Sequence, residues 1–322
     1  MNTQSKLKTI LRRIMGLNEF GVLVPTIILV IVVQCINPVF LTYYNLTTVL
    51  RSASYILLPA LGMTMLMIAG AIDLSVGSIL GLGGCISAIC MVSGINIWIS
   101  VLLGVGVGAL CGLINGFIIA KFHIPELMVT LGMYYMARGM VLILTGGTPV
   151  FPVPDSFNNI ERATILGLPC IVVIGIVLAA VFFFILRYTS FGREIYAIGG
   201  NEDTARISGI HVDRVIIIAY VITGVISAFA GVMMTGRLGS AQVSAGSGYE
   251  LTAIAATVIG GTSTKGGKGS VIGTVFGAFF IYALTVSLTT MRISALWQDF
   301  VVGLVLIIAV IVDYLRNRNS SR

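Results

Sequence analysis

Eleven consecutive residues, Gly260–Ser270 (GGTSTKGGKGS), gather five glycines, two lysines and four hydroxyl side chains. A loop of that composition could hold a phosphate on its backbone amides. The phosphate-gripping pattern, however, requires G-x-x-x-x-G-K-[ST] between a strand and a helix. Here Gly261 and Gly266 have the right separation, but Gly267 stands where the lysine belongs, and Lys268 is followed by Gly269. A nucleotide grip is therefore excluded on residue order. Asp73 and Arg138 are the other chemically conspicuous positions, each a charge inside an otherwise apolar run. A charge at the centre of a membrane helix costs about 2.5–3.5 kcal/mol, so it needs a role. Asp73 can sit at the membrane interface or cap the helix that follows, Ser75 being the other capping candidate, and Arg138 can snorkel outward or bind neighbouring carbonyls, with direct substrate contact as its alternative. Hydrolytic or metal chemistry has little support. His123 and His211 both sit in basic segments, no Ser-His-Asp spacing occurs, and the five cysteines form no CxxC pair.

The elements that must position these residues are membrane helices. Of 322 residues 57% are hydrophobic and only 10% charged, against roughly 25% charged in soluble domains. The net charge of +7 is spread along the chain rather than gathered on one soluble face, which argues against a nucleic-acid partner and for the lipid bilayer as the immediate surroundings. A spanning helix needs roughly 20 apolar residues. Uncharged runs at 20–50, 52–72, 74–120 (two helices turning near Ser93-Gly94), 124–145, 163–186, 215–236, 251–264, 269–291 and 293–312 predict about ten spans. The basic N-terminal region runs into the first of them without a small-residue cleavage site, so it reads as an uncleaved first helix. With the N-terminus inside, 14 Lys and Arg fall on the inner side and Arg51, Arg162, Arg237 and Arg292 on the outer, which places both termini in the cytoplasm. Glu250 and Asp299 then lie near outer ends, solvated or touching an outer partner.

Two polar turns look alike. Asp73, Ser75, Gly77 and Ser78 follow one span; Thr262, Ser263, Gly266, Gly267 and then Gly269-Ser270 follow another. Pairing Gly77-Ser78 with Gly269-Ser270 suggests two repeated halves, roughly 20–160 and 163–313, within one permease domain covering 1–322, as transporters often have. Segment 251–264 is about 21 Å long as a helix, short of the roughly 30 Å core. It is either a half-helix of a translocation path or a tilted helix starting near Ala245. The longest charged stretch between spans is 188–213. Asn201 can cap a helix carrying Glu202 and Asp203 in its first turn, and Gly209 can stop it.

Residues 196–210 read YAIGGNEDTARISGI, which resembles the cytoplasmic loop of the ribose-type monosaccharide permeases of ABC importers, a branch of the superfamily that includes branched-chain amino-acid permeases. GAIDLSVGS, TLGMYYMARGMVLILTGGTPV, ELTAIAATVIGGTSTKGGKGSVIGTVFGA and WQDFVVGLVLIIAVIVD match the same family in the same order. The resemblance implies an all-α integral membrane protein of the type II-like ABC importer permease class, in a bacterial cytoplasmic (inner) membrane. It implies a permease subunit that binds no cofactor, with ATP on a partner ABC ATPase subunit. A second permease copy or paralogue and an extracytoplasmic sugar-binding protein would complete the importer. Asn201, Glu202, Asp203, Arg206 and Gly209 would then lie at the ATPase contact. Departures are small: Ala71 where a second glycine is common, Thr204 where alanine is common, and Thr285–Ser287 where Asn-Gly-Leu is common. An ion-coupled secondary sugar transporter is the rival reading, with Asp73 as its ion site.

Overall fold

The computed structural model describes residues 20–294 and, beyond them, residues 297, 300–305, 307, 308 and 311. The basic N-terminal residues, Asp299 and the charged C-terminal residues lie outside the described residues. The helices up to residue 294 are α1 (Phe20–Ile36), α2 (Tyr43–Ile68), α3 (Val76–Val92), α4 (Ile97–Phe122), α5 (Glu126–Thr145), α6 (Asp155–Arg162), α7 (Cys170–Tyr188), α8 (Ser190–Gly200), α9 (Glu202–Ile207), α10 (Val212–Leu238), α11 (Tyr249–Ile259) and α12 (Val271–Thr290), and residues 300–305 are helical as well. Six of them, α2, α4, α5, α7, α10 and α12, are long and apolar enough to cross a membrane, and α3, α11 and the Leu23–Ile36 part of α1 are shorter apolar helices. Large apolar side chains on α1, α4, α5 and α7, such as Ile31, Leu102, Ile143 and Phe184, stand exposed. Soluble monomers rarely expose so continuous an apolar surface. The molecule is a multi-pass, helical membrane protein.

One expected span boundary needs adjusting. Residues 163–169 do not begin a span: Thr164–Ile165 and Leu168–Pro169 pair as a two-residue antiparallel hairpin, β1–β2, before α7 starts at Cys170. Gly167 at φ +78° supplies its turn. Two helices outside the apolar runs went unread, α6 and α8. Their composition is polar or glycine-flanked, so no hydrophobic run announces them.

Burial separates centre from rim. In the most apolar window of α2, 83% of residues are buried, against 22% in α5. α2 and α10 therefore run through the middle, with α3, α4, α11 and α12 around them. Glycines make this packing possible. Gly104, Gly108, Gly112 and Gly116 recur every fourth residue on α4; a Cβ on Gly108 would lie 2.4 Å from the Gly224 carbonyl oxygen of α10, and one on Gly112 would lie 2.3 Å from that of Tyr220. Small residues at that spacing let backbones touch where lipid gives no hydrophobic drive.

Gly231 of α10 is tighter still, its position for a Cβ only 1.8 Å from the Leu80 carbonyl oxygen of α3. Gly231→Ala must push α3 and α10 apart, a cost on the order of 1–3 kcal/mol or more. The thermal midpoint of the detergent-solubilised protein is expected to fall by several degrees. Gly106→Ala, on a glycine with nothing within 4 Å, is expected to leave it unchanged or raise it.

Candidate functional site

Among the described residues, the side chains singled out in the sequence fall at three polar places within the bundle and one at its end. At the first, α2 stops at Ile68. The amides of Ala69, Gly70 and Ala71 donate back to the carbonyls of Met65, Met67 and Leu66 at 3.2, 3.0 and 2.9 Å, with Gly70 at φ +88°, a glycine-dependent helix ending. The chain then turns through Asp73. One Asp73 carboxylate oxygen accepts from both the amide and the hydroxyl of Ser75, while Asn115 Nδ2 on α4 donates to Ser75 Oγ at 3.0 Å. Tyr220 of α10 donates its hydroxyl to the Ile72 carbonyl at 3.0 Å. Asp73, Ser75 and Asn115 are fully buried. Of the two capping candidates Asp73 does the bonding; Ser75 is the N-cap of α3 by position, but its hydroxyl makes no cap bond. The second Asp73 oxygen, Oδ2, and Asn115 Oδ1 have no partner.

The second place is the approach to α11. Residues 242–248 are irregular, with Gly246 and Gly248 at φ +74° and +78°, and α11 begins only at Tyr249. A helix starting near Ala245 is thereby ruled out; α11 has 11 residues, about 16 Å, which is half a bilayer core. Arg138 Nη1 donates to the carbonyls of Val243 and Ala245 at 2.9 and 3.0 Å, so the arginine binds carbonyls rather than snorkelling. Arg138 is twelve positions into α5, which starts at Glu126, about 18 Å from that end, so the irregular segment is clamped at mid-depth. Gly77 and Gly81 of α3 leave the room for it. A Cβ on Gly77 would lie 2.3 Å from the Gly246 carbonyl oxygen and 2.4 Å from Glu250 Oε2, and one on Gly81 would lie 2.8 Å from the Ala245 oxygen. Glu250 is therefore not solvated at an outer end: its Oε2 is buried against α3 without a partner, as are Arg138 Nη2 and Ser78 Oγ.

The third place is the turn from α11 to α12. Gly260, Gly261 and Thr262 donate to Ala256, Val258 and Thr257 at 3.0, 2.9 and 3.0 Å, and Gly261 has φ +87°. Residue for residue this repeats the ending of α2. The Ser263 amide donates to the Lys268 carbonyl at 2.9 Å and the Gly267 amide to the Ile68 carbonyl at 2.9 Å. Ser270 caps α12, accepting from the Gly273 amide at 3.2 Å. Ser270 thus corresponds in position to Ser75, not to Ser78, which lies in the first turn of α3 with Gly77; the Gly-Ser pairing of the two turns is misaligned. Thr262 and Ser263 are buried, Gly266 and Gly267 half-buried, and Lys265 and Lys268 exposed. The loop follows a helix, which removes the strand a nucleotide grip needs.

The last place is α9, at the end of the bundle shared with this turn. Asn201 is its N-cap, accepting from the Thr204 amide at 2.7 Å, and Gly209 at φ +87° ends the segment. Both follow the sequence expectation. Arg206 does not reach out freely. Nη2 bridges Glu202 at 2.9 Å and Asp213 of α10 at 2.8 Å, and hydrogen bonds to those two carboxylates raise its pKa above the ordinary value. Asp203 and Glu202 are exposed. A cavity of about 360 Å³ opens between α9 and the α4–α5 turn, lined by His123, Glu126, Glu202, Arg206 and Asp213 among others. Sequence reasoning missed Ile207, the last residue of α9, which is 88% exposed. Its signal was a lone isoleucine between Arg206 and Ser208 in a polar helix.

Comparison with known proteins agrees with this architecture. The family described as "Branched-chain amino acid transport system / permease component" matches residues 45–310. The chain is 40% identical over 299 residues to the ribose import permease protein RbsC of Bacillus subtilis, covering 92% of this chain and 93% of that one. It is 38% identical over 296 residues to that of Escherichia coli K12, covering 90% and 92%. The autoinducer 2 import system permease protein LsrC of Photorhabdus luminescens is 35% identical over 303 residues, covering 94% and 92%. No solved structure matches the chain. A multi-pass helical bundle with a short apolar helix entered through irregular backbone, matched along most of its length by import permeases, belongs to the family of branched-chain amino acid transport system permease components.

Proposed function

We propose that the chain is the membrane-spanning permease subunit of an ATP-driven importer of a ribose-type monosaccharide. The observation that carries this reading is the similarity, over about nine-tenths of both chains, to ribose import permeases. The geometry fits it. Irregular backbone at mid-depth is tolerated only where protein buries it or water lines it, and the 242–248 segment with its Arg138 clamp meets that condition as part of a sugar path. The similar endings of α2 and α11 fit a chain of two related halves, with ten spans and both termini on the cytoplasmic side. Gly77, Ser78, Asp73 and Ser75 in one half, and Thr262, Ser263, Gly266 and Gly267 in the other, form the turns of that path. α9 is the seat of the ATPase, with Asn201 and Gly209 fixing its ends. ATP sits on that ATPase, a sugar-binding protein delivers from the other face, and a second permease copy or paralogue completes the path. The chain itself is a transport subunit, not an enzyme.

The family description names amino acids while the similar import proteins named above handle ribose and autoinducer 2, so substrate class is the first thing to test. The chain is produced with its ATPase and binding protein in cells lacking other sugar importers. Uptake of labelled D-ribose is expected to saturate and to be unaffected by excess leucine. Saturable leucine uptake without sugar uptake would overturn the substrate assignment.

A second reading has one observation in its favour. Asp73 Oδ2 is buried and unpartnered, which is what an ion-coupled carrier asks of a coupling site. Its other oxygen is already engaged in shaping the α2–α3 turn, which favours the structural role.

A further inference from the structure

Three residues before α9 begins, three stretches of backbone meet without side chains between them. Gly199, near the end of α8, lies over the hydrogen bond from the Gly267 amide to the Ile68 carbonyl. A Cβ on Gly199 would sit 1.7 Å from the Ile68 oxygen and 2.6 Å from the Gly267 nitrogen. From the other side, a Cβ on Gly266 would sit 2.7 Å from the Gly199 oxygen. One turn earlier on α8, the Tyr196 hydroxyl donates to the Gly269 carbonyl at 3.0 Å. Ile195 and Ile198 anchor α8 in the main apolar core, so the contact is held from behind. The far end of α9 is joined differently. It continues through Gly209, which has nothing within 4 Å of its Cβ position, and through the half-exposed Arg206–Asp213 pair, and exposed pairs constrain weakly.

We propose that Tyr196 and Gly199 are positioning residues of transport: they carry displacement of α9 directly into the α11–α12 turn and the end of α2. Backbone in van der Waals contact cannot be compressed; the Tyr196–Gly269 bond keeps α8 on the turn, and the Gly267–Ile68 bond keeps the turn on the end of α2. A push on α9 therefore moves the turn that ends the half-length helix α11 and starts α12, and at the same carbonyl it moves the end of α2, from which the Asp73 turn departs. Both polar turns of the path would then answer to one input. This rests on α9 being the ATPase seat.

The test uses the complete importer in proteoliposomes, with sugar moved per ATP hydrolysed as the readout and ATPase copurification measured beside it. Tyr196→Phe keeps the ring and removes the bond to Gly269; Gly199→Ala inserts the clashing methyl; Gly200→Ala, where nothing lies within 4 Å, is the control. Copurification is expected to be unchanged in all three. Sugar per ATP is expected to fall severalfold in Tyr196→Phe, at least tenfold in Gly199→Ala, and not at all in Gly200→Ala. Should Gly199→Ala fail to assemble, Tyr196→Phe decides: a wild-type ratio overturns the proposal, as does a loss of transport that merely follows loss of bound ATPase. A wild-type importer that ignores ATP overturns the functional reading instead. In that case amide exchange across 263–270 still reads the linkage: Tyr196→Phe is expected to speed it, and unchanged exchange counts against the contact.

Discussion

Ile207→Asp is expected to strip the ATPase from the permease. Ile207 closes α9 and is 88% exposed, while Glu202, Asp203 and Ser208 around it are polar and Arg206 is committed to Glu202 and Asp213. An isolated exposed isoleucine means little by itself. One on the tip of a short, capped helix beyond the membrane helices is the natural anchor for a partner's apolar groove, where a buried anchor residue is worth about 2 kcal/mol or more. Loss of that contact weakens binding by about 30-fold, and the aspartate adds the cost of burying a charge. Because Ile207 touches little of its own chain, folding is expected to survive. Titrating solubilised permease with ATPase measures the effect; Ile207→Ala is expected to lie between wild type and Ile207→Asp. Unchanged affinity for Ile207→Asp would place the ATPase contact elsewhere. Arg206→Glu, by contrast, acts first within the chain. It sets a carboxylate beside Glu202 and Asp213, so weakened association there reports on repulsion within the chain as much as on direct contact.

Arg138→Leu is the second large effect. Removing the guanidinium leaves the Val243 and Ala245 carbonyls unpaired at mid-depth, at about 1–3 kcal/mol each. The irregular segment then loses its hold on the Gly77–Gly81 face of α3, and α11 loses its fixed entry. Uptake per copy is expected to fall at least tenfold while the chain still inserts in the membrane. Arg138→Lys restores a charge and a donor but not the fork that serves two carbonyls, and is expected to recover uptake only in part. Wild-type uptake by Arg138→Leu, measured at equal membrane content, would remove the clamp from the mechanism.

The spans that were legible in the sequence are those whose charges bracket them, such as α10 between Arg214 and Arg237 and α4 ending at Lys121. The Asn201 cap and the Gly209 stop were legible too, because capping is local chemistry. α8 was not: SFGREIYAIGG offers only Ile195 and Ile198 to the core, and its glycines read as breaks when two of them, Gly192 and Gly199, are close contacts. Hydropathy reports depth along a straight helix and so puts Glu250 at an outer end, whereas the turns at 243–248 set its Oε2 against Gly77 of α3. The meeting of Ile68, Gly199 and Gly267 joins residues far apart in the chain through backbone alone, which leaves no side-chain pattern to read.

Proteoliposomes holding the permease, its ATPase and its binding protein decide how the sugar is driven. Accumulation of labelled ribose is expected only with ATP available to the ATPase, and is expected to persist when ionophores collapse proton and sodium gradients. Accumulation that follows an imposed ion gradient and ignores ATP would contradict the importer reading and return Asp73 to the role of a coupling site.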